Sequence, residues 1–303
     1  MKSILTSIGG FLMALADSVP GVSGGTIAFI MGFYDEFIGS IDALISGNRQ
    51  EKIRALKFLL KLAVGWIIGF VSAVLVLTSV FESHIYIISS LFIGFIVFAL
   101  PVIITEEKNT LKNGRVWHAA FVVLGIAVVA LITYFNPTSG DGGIDTSSFS
   151  IALGGYSVLA GAIAISAMVL PGISGSTLML IFGLYVPIIT GIKDVLKLDL
   201  HAAPMLICFA VGIIIGFVLV VKIIKICLKK FRSQTIYLVL GLMLGSLYAI
   251  VMGPTTLDDP QEMMTPDKIT VGCIIAFLVG GAVIFGLQML KKALEVHDNK
   301  KNI

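Results

Sequence analysis

Two copies of a Pro-Gly-x-Ser-Gly sequence carry residue types that could bind an anion without a charged side chain. The copies are Pro20-Gly21-Val22-Ser23-Gly24-Gly25-Thr26 and Pro171-Gly172-Ile173-Ser174-Gly175-Ser176-Thr177. Proline ends a helix, glycine permits a tight turn, and serine or threonine caps the helix that follows. The N-terminus of that second helix presents unpaired N–H groups and the positive end of the helix dipole, both of which attract negative charge. Each copy therefore predicts a break between two helices.

Asp17 is the acidic residue nearest to the first break, and the second copy has Met168 in its place. One interpretation makes this carboxylate a proton or cation acceptor that couples ion movement to a transport step. The other makes it a capped polar residue that contacts the amides of the loop. The sequence leaves both interpretations open.

The composition requires a membrane around these breaks. Hydrophobic residues make up 57% of the chain and charged residues only 13%, against about 25% charged residues in a soluble domain. A soluble fold could not cover its surface with so few charges, so the solvent of most of the chain must be lipid. Six apolar runs have the length of a membrane span, namely residues 59–80, 85–104, 117–135, 205–226, 236–252 and 269–290.

The chain is a duplication. The two breaks lie 151 residues apart (171 − 20), and 8 of the 16 positions from 19–34 and 170–185 are identical. Residues 63–71 and 210–218 agree at 8 of 9 positions. We predict two repeats that together form one membrane domain. Repeat 1 (1–140) has a hairpin at 3–45 and the spans 59–80, 85–104 and 117–135, and repeat 2 (150–303) has a hairpin at 150–195 and the spans 205–226, 236–252 and 269–290.

The distribution of basic residues predicts the orientation of the spans. Basic loops remain in the cytoplasm, and one topology places every lysine and arginine there except Lys193, Lys197 and Lys268. In this topology the span 59–80 runs outward and its counterpart 205–226 runs inward. The sequence thus predicts an all-α polytopic protein with inverted-topology repeats, an arrangement common among secondary transporters. Both termini are predicted to be cytoplasmic.

Each motif segment must then enter and leave the membrane on the same side. A helix from Thr26 to Glu36 advances about 15 Å, or half the hydrocarbon thickness. This length favours re-entrant hairpins whose tips meet near the midplane, although the later portions could lie in the interface or complete a second span. The predicted substrate-binding residues are those of the two tips: Pro20, Gly21, Ser23, Gly24, Gly25, Thr26, Pro171, Gly172, Ser174, Gly175, Ser176 and Thr177.

The stretch from Ala14 to Thr26, its partner from Leu170 to Thr177, the length and the duplication resemble a bacterial family once called a domain of unknown function. It is now called the polyprenyl-phosphate transporter family, and the resemblance covers essentially the whole chain. It implies a flippase in the bacterial cytoplasmic membrane that returns undecaprenyl phosphate, the carrier lipid of cell-wall precursors, from the outer to the inner leaflet. The partners it implies are this lipid phosphate, membrane lipids and a proton or another coupling ion.

Other functions fit the sequence less well. An ion or small-anion transporter would use the same hairpins and is the main alternative. A serine protease is disfavoured because Ser23 and Ser174 need a base, whereas His84, His118, His201 and His297 lie at span ends or in the tail. A lipid phosphatase would need clustered acids, histidines or arginines around the phosphate. Metal-ligand spacing and a phosphate-binding loop for ATP are absent from the sequence, so we expect no metal, no cofactor and no nucleic-acid partner.

Overall fold

The computed structural model describes residues 2–17, 23–73, 78–112, 116–135, 150–173, 175–196, 198–256 and 261–301. This part of the chain folds into thirteen α-helices and contains no strand. The helices of the first half are α1 Lys2–Asp17, α2 Gly24–Ile30, α3 Tyr34–Ser46, α4 Arg49–Ser72, α5 Thr78–Glu106, α6 Lys108–Lys112 and α7 Ala119–Tyr134. Those of the second half are α8 Ile151–Val169, α9 Gly175–Ile181, α10 Tyr185–Leu196, α11 Ala203–Lys230, α12 Arg232–Met252 and α13 Val271–Lys301.

Five helical segments of the described part are long and apolar enough to cross a bilayer. They are Arg49–Ser72, His84–Glu106, Ile151–Val169, Ala203–Lys230 and Arg232–Thr255. The protein is therefore a multi-pass membrane protein. The six predicted spans lie on α4, α5, α7, α11, α12 and α13, and residues 74–77 of the predicted span 59–80 lie outside the described residues.

Helix α4 begins ten residues before the predicted span 59–80 because its first turn carries its own cap. The Asn48 side chain accepts hydrogen bonds from the N–H groups of Gln50 and Glu51, and the Glu51 carboxylate accepts one from the Asn48 N–H at 2.8 Å. This reciprocal pair is a capping box, which stabilises a helix start in water. The helix thus continues outside the apolar run that hydropathy detects.

The first arm of each predicted hairpin ends near its proline. Helix α1 ends at Asp17, and α8 ends at Val169. Leu170 is extended, with ψ at 135°, because the ring of Pro171 excludes the helical conformation from the residue before it. Helix α8 has 19 residues and is about 28 Å long, close to the full hydrocarbon thickness. A helix of this length could cross the whole hydrocarbon layer. The re-entrant shape of the second hairpin therefore stays a prediction.

The second arm of each hairpin is divided in two, which the sequence analysis did not anticipate. The helix expected from Thr26 to Glu36 stops at the end of α2 and resumes as α3. The turn contains Gly32, whose φ is +73°, and Gly183 occupies the same place between α9 and α10 with φ at +64°. Only glycine adopts this conformation without strain. The two glycines are 151 residues apart, like the two motifs.

The first arms pack along the next long helix of the same half. Helix α1 lies against α4, and α8 lies against α11. A Cβ atom on Gly65 would overlap the carbonyl oxygen of Ser7, and one on Gly212 would overlap that of Val158. Glycine therefore permits the same close approach of two helix backbones in both halves.

The remaining long helices pair across the halves. Helix α5 packs against α13, and α12 packs against α7. In the first pair Phe98 contacts Phe277 and Phe285. At the start of the second pair His118, the residue before α7, contacts the ring of Tyr237 of α12. Each half therefore places its last helix against the other half.

Helices α5 and α12 form the centre of the molecule. Their largest fully buried side chains are Ile85, Ile96, Ile236, Met243 and Ile250. The outer helices α4 and α11 instead expose large apolar side chains, among them Leu60, Val64, Ile67, Ile207, Ile214 and Leu219. Such surfaces suit contact with lipid tails.

Candidate functional site

The two helix breaks lie against each other. The Gly172 N–H donates a hydrogen bond of 2.7 Å to Thr26 Oγ1. The Ser23 hydroxyl lies 3.1 Å from Leu170 O and 3.3 Å from Met168 O, and it donates to these carbonyls. Ser23 and Thr26 are each 1% exposed. The structure therefore brings two predicted site residues of the first half onto the backbone of the second break, and we call this contact the junction.

Ser23 also caps the helix that follows it. Its backbone is extended, and its hydroxyl oxygen accepts a hydrogen bond of 3.1 Å from the Gly25 N–H. The Thr26 N–H donates to Ser23 O at 2.9 Å. The Ser23 hydroxyl thus accepts from an N–H group in the first turn of α2 and also donates to the Leu170 carbonyl of the second break.

Gly172 is a position at the junction where only glycine fits. Its φ is +87°, and a Cβ atom there would lie 2.5 Å from Leu242 O. Leu242 belongs to the central helix α12, which covers the second break at this point. Pro171 beside it is fully buried.

Asp17 holds the start of α2. Its Oδ1 accepts a hydrogen bond of 2.7 Å from the Gly24 N–H, and its Oδ2 lies 3.4 Å from Trp66 Nε1, which donates to it. The contact with a loop amide is the one that the capping interpretation predicts. Trp66 is the α4 residue that completes this arrangement.

The described amides at the two breaks for which a partner is observed are bound within the protein. Those of Gly24, Gly25 and Thr26 bind oxygen atoms of Asp17 and Ser23, and that of Gly172 binds Thr26. An anion entering the junction must replace these protein oxygens.

For the other predicted site residues fewer contacts are described. Pro20, Gly21, Ser174 and the side chain of Ser176 lie outside the described part of the chain. Gly175 begins α9 and is buried against Ala164 of α8, and Thr177 is half-buried in the same helix.

Two residues that were not predicted as site residues also contribute here: Tyr34 contacts the second break, and Trp66 contacts Asp17. The Tyr34 hydroxyl donates a hydrogen bond of 3.1 Å to Val169 O, and the side chain is 3% exposed. A signal for it was present, because Tyr34 and Tyr185 are identical residues that close the duplicated stretch. Trp66 lies in the second duplicated stretch, where the other repeat has Ile213.

Ser23 does not have the surroundings of a catalytic serine in the described part of the chain. The hydrogen-bond partners observed for its hydroxyl are backbone groups. The buried His118 instead pairs with Ser233, with 2.9 Å between Nδ1 and Oγ.

The fold and the junction define a polytopic helical membrane protein in which two helix breaks share a buried polar contact. Residues 13–268 match the family described as undecaprenyl phosphate translocase-like, and the chain belongs to that family. A polyprenyl-phosphate transporter of Staphylococcus aureus is 33% identical over 247 residues, which cover 82% of this chain and 86% of that protein. One of Vibrio cholerae is 29% identical over 257 residues, covering 82% and 77%. No solved structure matches the chain.

Proposed function

We propose that this protein is a flippase that moves polyprenyl phosphate, in bacteria undecaprenyl phosphate, between the leaflets of the cytoplasmic membrane. The direction we propose is from the outer to the inner leaflet, which recycles the carrier lipid for cell-wall synthesis. The observation that carries the proposal is the buried junction in a chain of the translocase-like family. The relatives named polyprenyl-phosphate transporters support the choice of cargo.

The junction has the chemistry that such a cargo requires. A bare phosphate in hydrocarbon has an unfavourable solvation free energy of tens of kcal/mol. Backbone N–H groups at two helix starts, with the hydroxyls of Ser23 and Thr26, can replace the lost hydration without a buried cation. The apolar tail stays in lipid beside the protein. We propose the residues of both tips as the binding site, including Ser174 and Ser176.

Binding at the junction requires the internal acceptors to leave. Phosphate oxygens would take the amides of Gly24, Gly25 and Gly172 from Asp17, Ser23 and Thr26. Asp17 is the charged member of this set, so a proton or cation bound to it would weaken its hold on Gly24 and favour phosphate. This exchange is the coupling step that we propose for Asp17.

Alternating access follows from the proposed repeat architecture. We propose that residues 1–140 and 150–303 are inverted repeats with re-entrant hairpins that bring the junction near the midplane, and that both termini are cytoplasmic. The matching glycine turns and the matching α1–α4 and α8–α11 contacts support this relation. Rocking of one repeat against the other would expose the junction to each leaflet in turn.

The experiment is leaflet exchange in liposomes that contain the purified protein. A fluorescent polyprenyl phosphate is reconstituted, and a phosphatase that cannot cross the membrane is added outside. With active protein nearly all the lipid becomes accessible, whereas in empty liposomes about half stays protected because it faces the lumen. We expect Ser23→Ala with Thr26→Val to slow exchange about tenfold or more, since hydrogen bonds to a charged group are among the stronger ones.

The control is Ser72→Ala with Thr105→Val. These hydroxyls make exposed hydrogen bonds to carbonyls of their own helices. Equal slowing by both pairs would argue against a site at the junction. No exchange by the wild type, with or without a proton gradient, would reject the flippase and favour the ion or small-anion transporter.

A further inference from the structure

Helix α3 is attached to the second half of the chain through two ion pairs. Asp42 pairs with Lys225 of α11. Asp35 accepts a hydrogen bond of 2.8 Å from Nη1 of Arg232, the first residue of α12. Both acids belong to the first half and both cations to the second. The helix that follows the first turn is therefore held electrostatically by the opposite half.

Arg232 extends this contact to the residue that follows α5. Its Nη2 pairs with Oε1 of Glu107 beyond the end of α5, and its Nε lies 3.3 Å from Oε2. Burial acts to raise the pKa of the Glu107 carboxyl, but hydrogen bonds from Arg232 and Thr110 hold it below its ordinary value. Glu107 is thus a carboxylate at neutral pH and binds the guanidinium with two oxygens.

The two acids at the centre of these contacts are shielded from solvent. The side chain of Asp42 is 11% exposed and that of Glu107 is 17% exposed. Removing one partner of such a pair leaves an uncompensated charge in a poorly solvated place. Separating the two halves at these ion pairs consequently requires water to hydrate the Asp42 and Glu107 carboxylates again.

The ion pairs are located at one end of the molecule. The segments 108–115 and 222–232 are rich in basic residues, and the charge distribution assigns them to the cytoplasm. The duplication does not repeat the pairs at the other end. Positions 151 residues after Asp35 and Asp42 are Val186 and Lys193. The electrostatic contact breaks the two-fold relation between the repeats.

We propose that Asp42–Lys225 and Asp35–Arg232–Glu107 form a lock that closes the cytoplasmic side of the junction, and that this lock opens each time cargo reaches the inner leaflet. The inference deepens the proposed function, on which it rests for the identity of the cargo. In this proposal the ion pairs regulate access of the cargo to the junction. With the lock formed, the junction is cut off from the cytoplasm.

The first test measures opening without any lipid substrate. Ile38 is 1% exposed and lies one helical turn from both Asp35 and Asp42. An Ile38→Cys reporter is placed in a chain whose Cys208, Cys227 and Cys273 are alanine. Inside-out vesicles are treated with a maleimide that cannot cross membranes. We expect Asp42→Asn and Lys225→Gln each to speed labelling on the order of tenfold, because the closed state loses one shielded pair.

Two further variants separate a lock from general damage. The exchange Asp42→Lys with Lys225→Asp should return labelling toward the wild-type rate because it restores the attraction. Glu36→Gln removes an exposed carboxylate of the same helix and should leave labelling unchanged. Unchanged labelling in Asp42→Asn and Lys225→Gln would overturn the lock.

The second test asks whether the lock must open during transport. Asp42→Cys and Lys225→Cys are joined by a reducible bis-thiosulfonate cross-linker in the liposomes described above. Lipid exchange should stop on cross-linking and recover on reduction. Unchanged exchange by the cross-linked protein would reject the required opening. If wild-type protein fails to exchange lipid while the labelling pattern is as expected, the proposed cargo is wrong and the lock stands.

Discussion

The hydroxyls of Ser23 and Thr26 satisfy backbone groups that the two helix breaks release. Thr26 accepts from the Gly172 N–H, and Ser23 donates to Leu170 O. Among the described residues neither backbone group has a helical partner, and water is scarce around side chains that are 1% exposed. These two side chains therefore stabilise the contact between the two breaks.

Replacement of Thr26 by valine tests this stabilising role. Thr26→Val keeps the shape of the side chain but leaves the buried Gly172 N–H without its acceptor, which is expected to destabilise the fold by about 1–3 kcal/mol. Thr26→Ser keeps the hydroxyl and should lose much less. The measurement is the thermal unfolding midpoint in detergent, with Thr105→Val as the control. Equal midpoints for Thr26→Val and wild type would show that the hydrogen bond adds nothing.

At the level of the helices, two pairs pack with their backbones in close contact. Helices α1 and α8 approach α4 and α11 so closely that the carbonyls of Ser7 and Val158 lie where a Cβ atom of Gly65 or Gly212 would be. Van der Waals contact and weak polar contacts between backbones hold such pairs together in lipid, where no hydrophobic force acts between helices. Gly65 and Gly212 are therefore required by the close approach of the two helices, and not by an unusual backbone conformation.

Alanine at these crossings should destabilise the fold. Gly65→Ala and Gly212→Ala must push two backbones apart, and overpacking of this kind typically costs about 1–3 kcal/mol. Gly155→Ala is the matched control, because Gly155 also lies in a long helix but has open space where its Cβ would stand. That variant should be neutral or stabilising by about 0.5–1 kcal/mol, as alanine favours the helix. Thermal midpoints that fall equally in all three variants would contradict the overlap.

A local signal in the sequence predicted the end of α8, since Pro171 acts on its immediate neighbour Leu170. The apolar runs likewise predicted the long helices. The turn at Gly32 was missed because one glycine in an apolar run is compatible with a continuous helix. The Asp17–Trp66 contact could not be predicted because it joins helices distant in sequence. The cap at Asn48 was detectable, since Glu51 follows it at the spacing of a capping box.

At the scale of the whole molecule, the halves are joined by exchange of their last helices. Helix α13 packs on α5, and α7 packs on α12. Charges then distinguish the two ends, with the ion pairs of Lys225 and Arg232 on the side assigned to the cytoplasm. An inverted arrangement requires α4 and α11 to begin on opposite sides of the membrane.

Single cysteines test this inversion. Gln50 precedes the apolar part of α4, Asp199 precedes α11, and Asp267 precedes α13; all three are exposed. In intact cells an impermeant maleimide should label Asp199→Cys and Asp267→Cys but not Gln50→Cys, which should react only in inside-out vesicles. Labelling of Gln50→Cys and Asp199→Cys from the same side would show that the repeats are not inverted.

The exchange of last helices has a consequence for biosynthesis. Helix α13 follows every other helix that contacts α5, so the face of α5 that α13 covers must wait in lipid or beside an insertion factor until α13 has been made. The pairing of α5 with α13 cannot form earlier, and a ribosome that stalls before α13 leaves that face of α5 uncovered. Docking of α13 is therefore a late step in the assembly of the described helices.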